Sequence, residues 1–103
     1  MHRAKRRIDE IARDDEIPAA KAIEEATGCI RILSRGGDAA ALADAYALRG
    51  RAYACGFEDH PSAFRDWRHA LRILSRAPSR RKRLRRAAWV RFQMGMHSEN
   101  AVR

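Results

Sequence analysis

A chain of 103 residues has room for one domain, with an expected radius of gyration of about 13 Å. Its net charge is +9 and 34% of its residues are charged, with Arg or Asp interrupting every apolar stretch, so no segment reaches the roughly 20 apolar residues of a membrane-spanning helix. The N-terminus is charged and has no apolar run of the secretory kind, so a cytoplasmic protein is expected.

The first element runs from Arg3 to Asp14, where Ala4, Ile8, Ile11 and Ala12 fall on one side of a short helix. Pro18 opens a second helix, with Ala19, Ala22, Ile23, Ala26, Ile30 and Leu33 along one face and a stop at Gly36 and Gly37. Asp38 is placed to cap a third, alanine-rich helix from Ala39 to Cys55, which Gly56 is expected to end. Asp59 or His60, followed by Pro61, starts a fourth. Its apolar residues Ala63, Phe64, Trp67, Ala70, Leu71 and Leu74 lie at helical spacing, and Arg65, Arg68, Arg72 and Arg76 form an opposite stripe. Pro78 and Ser79 separate it from a fifth helix, from about Arg80 to Met96. No alternating apolar run long enough for a strand occurs, so the fold class is all-α, about five helices in antiparallel hairpins joined by short turns. Residues 1–97 form a single helical domain and 98–103 a frayed polar tail.

Charge is unevenly distributed. Arg3, Lys5, Arg6 and Arg7 are followed by an acidic stretch over 8–25, and residues 76–103 hold nine basic residues against one acid, Glu99. Cys29 and Cys55 form no metal-binding pattern and read as two buried thiols. The four histidines are scattered and read as surface or capping residues. No phosphate-binding glycine loop, zinc-protease motif or nucleophile elbow is present. Arg91 and His97 have a spacing similar to that of HEPN ribonucleases, but Gly95 between them argues against a catalytic helix. The expectation is a non-enzyme with no catalytic residues, metal or cofactor.

The segment 22–35 is echoed at 63–76, ending in both copies in the same five residues, RILSR, at an offset of 41. That offset lies in the range of helical repeat arrays. Tyr46, Gly50, Tyr53, Ala63 and Trp67 fall at the aromatic, glycine, tyrosine, alanine and second aromatic positions of a tetratricopeptide repeat, which the third and fourth helices resemble. Gly50 and Ala63 would permit close approach while Tyr46, Tyr53 and Trp67 fill the space beside them, with Ala70 on the same face. Arg49 stands where leucine is expected. The resemblance covers one full and one half repeat. It implies a short right-handed superhelix that holds a protein partner in a groove lined by Asp44, Ala47, Arg51 and Ala54, of which Arg51 is the specific candidate.

The fifth helix is apolar all round in its second half, with Trp89, Phe92, Met94 and Met96 pointing in different directions. A terminal helix packs on one side only, so these four residues are expected to form an interface with a second copy or a partner helix. Its first half crowds Arg80, Arg81, Lys82, Arg83, Arg85 and Arg86 at the positive end of the helix dipole, an arrangement that an external anion would relieve. The reading is a self-associating adaptor or chaperone-like module that binds a protein partner; the alternative is an RNA- or DNA-binding accessory protein using the arginines of the fifth helix.

Overall fold

The computed structural model describes residues 2–76 and 80–98. Five helices follow one another: α1 (His2–Arg13), α2 (Ala19–Leu33), α3 (Ala39–Phe57), α4 (His60–Leu74) and α5 (Arg80–Met96). No strand occurs among the described residues, and the protein is all-α. The Pro78–Ser79 break, the tail from 99 to 103 and the Lys82 side chain lie outside the described residues.

Most helix ends follow local chemistry. The Asp38 carboxylate accepts the Ala41 amide at 3.1 Å, and Asp59 accepts the Ser62 amide at 3.2 Å, so each satisfies a donor that the first helical turn leaves free. Gly36 and Gly37 carry φ of 126° and 110° and reverse the chain after α2. Gly56 behaves differently from expectation, because it lies inside α3 and not beyond it. The left-handed residue that ends α3 is Glu58, at φ 50° and ψ 28°. Gly56 is needed for packing, since a β-carbon there would collide with that of Ala19 at the start of α2.

α3 is the centre of the molecule. On one side Ala41, Ala45, Leu48 and Ala52 pack with Ile8 and Ile11 of α1 and with Ala22, Cys29, Ile30 and Leu33 of α2. On the other, Ala43, Ala47 and Ala54 pack with Ala63, Trp67, Ala70 and Leu74 of α4 and with Ala87 and Val90 of α5. Alanine serves a helix packed on two flanks because it costs no side-chain entropy and lets neighbouring backbones come close. Trp67 fills the space thus opened: it is fully buried, and its indole N–H donates to the Ala47 carbonyl at 3.1 Å. A β-carbon on Gly50 would stand 2.6 Å from that same nitrogen.

The helices alternate in direction. Lys5 near the start of α1 pairs with Asp38 at the start of α3 at 3.1 Å, and Arg86 in the first half of α5 pairs with Asp44 in the first turns of α3. At the opposite end His60, the first residue of α4, packs against His97 just after α5, their ring centroids 5.3 Å apart. α1, α3 and α5 touch in series, whereas α2 and α4 make no direct helix–helix contact. The two RILSR segments end α2 and α4 in the same way. Leu33 and Leu74 are buried, and the Ser34 and Ser75 hydroxyls donate to the carbonyls of Arg31 and Arg72.

Candidate interaction surface

α5 has two apolar faces and the fold covers one. Ala87, Val90 and Met94, spaced three and four residues apart, point into the core shared with α3 and α4. Leu84, Ala88, Phe92 and Met96 recur every fourth residue on the other side and are exposed, Phe92 at 62% and Met96 at 60%. Trp89 lies at the edge of this strip, 37% exposed. Of the four residues expected at an interface, three are therefore displayed, whereas Met94 is half-buried against the core. Leu84 is a fifth, whose apolar signal in the sequence is masked by the arginines on either side of it.

Trp89 also walls two clefts. One, of about 200 Å³, is bounded by Ile8, Asp9 and Ala12 of α1 and by Asp44, Ala47 and Leu48 of α3. The second, of about 340 Å³, lies between Ala43, Asp44, Leu74 and the Arg85, Arg86 and Val90 side of α5. Asp44 and Ala47 thus face the side where α1, α3 and α5 run in series. Arg51 lines a separate cleft with Asp14, Asp15, Ile17 and Cys55, and Ala54 is buried in the α3–α4 core.

The arginines of α5 divide into two groups. Arg80, Arg81 and Arg85 are exposed, while Arg83 and Arg86 are half-buried. Arg86 donates through Nε to both oxygens of Asp44, at 2.9 and 3.0 Å, so part of the charge at the start of α5 is balanced from within. Burial pushes the Asp44 carboxyl above its ordinary value, and Arg86 acts in the opposite sense.

The five residues matched to the repeat pattern, and Ala70 with them, meet between α3 and α4. Gly50 lies against Trp67; Ala63 and Ala70 are buried; Tyr46 and Tyr53 border the same cluster, with Tyr46 stacked on His69 at 4.2 Å. Arg49 proves to be a partner and no mere departure from that pattern. It binds Asp66 of α4 through two hydrogen bonds of 2.8 Å and donates to the Thr27 hydroxyl of α2 at 3.2 Å, joining three helices. Asp66 is only 1% exposed. An Arg and an Asp 17 residues apart carry no helical-spacing signal, and only their placement on facing helices relates them.

Two further expectations change. Cys55 is exposed, not buried, and lines the open cleft that α3 shares with Asp14, Asp15 and Ile17; Cys29 is buried, and burial pushes its thiol pKa up. Three histidines are packed against rings and do not serve as simple surface groups: His69 on Tyr46, and His97 between His60 and Trp67. His97 is turned to Trp67 and Arg91 is exposed. Among the described residues no cluster of three potential ligands could hold a metal ion, and no helix is long and apolar enough to cross a membrane. No family model matches this chain, and neither a curated protein nor a solved structure shows significant similarity to it.

Proposed function

We propose that this chain is a non-enzymatic interaction module of tetratricopeptide-like character that self-associates through α5. The observation that carries the reading is the exposed strip of Leu84, Ala88, Phe92 and Met96, with Trp89 beside it, directly opposite the face by which α5 holds to the core. Removing a large apolar side chain fully from water contributes about 1.5–3 kcal/mol, and aromatic residues are the usual anchors of protein interfaces. The serial contact of α1, α3 and α5, with α2 packed against α1 and α3 and with α4 packed against α3 and α5, supports the repeat-like arrangement.

Two α5 helices would pair antiparallel. This keeps the Arg80–Arg86 segments at opposite ends and places each beside the partner's helix C-terminus, where the dipole is negative. A parallel pair would bring the two arginine clusters together. Light scattering coupled to size exclusion tests the proposal: the wild-type chain should run as a dimer and Phe92→Asp or Trp89→Asp as a monomer with an unchanged circular dichroism spectrum. A monomeric wild type, or a Phe92→Asp variant with the same mass as wild type, would overturn it.

A further inference from the structure

The alternating helix directions bring together basic segments that are far apart in the chain. α2 finishes with Arg31 and Arg35, α4 with Arg72 and Arg76, and α5 begins with Arg80 and Arg81, all at one end of the molecule. All six are exposed, and none makes a salt bridge to a described residue. The start of α1 adds exposed Arg3 and Arg6 at the same end. The acids there are already engaged, Asp38 by the Ala41 amide and Lys5, and Asp44 by Arg86. Asp14, Asp15 and Glu16, between α1 and α2, and Glu58 and Asp59, between α3 and α4, lie at the other end. The molecule therefore has one strongly cationic end, while at the other these acids are offset by Arg13, Lys21, Arg51 and Arg65, and such an uneven field orients a polyanion before contact.

We propose that the cationic end binds the phosphate backbone of a nucleic-acid duplex. The Arg31–Arg35, Arg72–Arg76 and Arg80–Arg81 groups belong to three different helices, so these charges are spread over the end of the molecule and not gathered at one point. A single phosphate or carboxylate cannot engage all of them. A duplex can, since it offers about one charge per 1.7 Å of its axis. Guanidinium groups suit phosphate oxygens because their planar donors bind in pairs. Beside these six arginines no large aromatic side chain is exposed among the described residues, since Phe57 lies at the opposite end and Trp89 and Phe92 lie in the second half of α5. The contact is therefore with the backbone and independent of base sequence.

The test is fluorescence anisotropy of a labelled duplex of arbitrary sequence titrated with the full chain at several salt concentrations. For about five phosphates contacted, the logarithm of the affinity should fall with the logarithm of salt at a slope of roughly −4 to −5. Arg72→Glu/Arg76→Glu should weaken binding by at least about tenfold and flatten the slope by about 2, and Arg31→Glu/Arg35→Glu should do the same. Lys21→Glu/Arg65→Glu, an equal charge change at the other end, should cost less than about threefold, and Phe92→Asp should have no effect on affinity, which separates this site from the self-association surface. Absence of binding at low salt, equal losses in the variants of both ends, or displacement of the duplex by poly-glutamate at equal charge concentration would each overturn the proposal.

Discussion

Arg49 on α3 and Asp66 on α4 are joined by two parallel hydrogen bonds, Nε to Oδ2 and Nη2 to Oδ1, both 2.8 Å long, beside a contact made of alanine, glycine and tryptophan. Hydrogen bonding to Asp66 raises the already high pKa of the Arg49 guanidinium, which keeps its charge throughout the ordinary range. Removing one partner strands the other. Arg49→Leu should destabilise the protein by about 3–5 kcal/mol, whereas Arg49→Leu/Asp66→Leu should recover most of that loss, because an apolar pair leaves no charge buried. Urea denaturation of the two variants checks this, and a double variant no more stable than the single one would contradict it.

Glycine-to-alanine substitutions should have opposite effects at two helical positions. Gly50→Ala would push a methyl group into Trp67 and cost about 1–3 kcal/mol in spite of alanine's better helix propensity. Gly28→Ala meets no neighbour within 4 Å and should gain about 1 kcal/mol. Thermal melts followed by circular dichroism would separate the two directions.

Glu58 holds a left-handed conformation that favours glycine, and its acidic side chain stands at the negative end of α3. Glu58→Gly should relieve both effects and raise stability by about 1 kcal/mol. Equal melting temperatures for this variant and the wild type would mean that the α3–α4 turn carries no strain.

The cap of α4 should be visible in the acid limb of stability. Hydrogen bonds from the Ser62 hydroxyl and amide hold the Asp59 carboxyl below its ordinary value. A depressed folded-state value means that the contribution is complete above the unfolded value, about pH 4, and is lost as pH falls through the lower folded one. The difference in urea midpoint between wild type and Asp59→Ala should therefore be constant between about pH 5 and 8 and shrink below about pH 4. A difference that grew on acidification would contradict that sign.

Helix number, order and most boundaries were legible in the sequence because they depend on local chemistry. Asp38 and Asp59 cap the nearest free amides, paired glycines reverse the chain, and apolar spacing marks the buried faces. The small-residue contact at Gly50, Ala63 and Trp67 was legible for the same reason, since size alone determines how close two helices come. The expected stop at Gly56 was misleading because glycine serves equally to end a helix and to admit a neighbour, and here Ala19 is that neighbour.

Pairings across helices depended on the tertiary structure. Nothing local joins Arg49 to Asp66, Arg86 to Asp44 or His60 to His97; each needs two helices brought to a particular register. The same holds for the exposed strip of α5. The sequence alone determined that this helix has more apolar surface than a terminal helix can bury, and the packing of Ala87, Val90 and Met94 on the core decided which side was left over. Charge followed the same division: composition determined that the chain is cationic, but only the alternating directions of α1 to α5 bring Arg31, Arg35, Arg72, Arg76, Arg80 and Arg81 to one end, because a charge's neighbours in space are set by packing and not by chain distance.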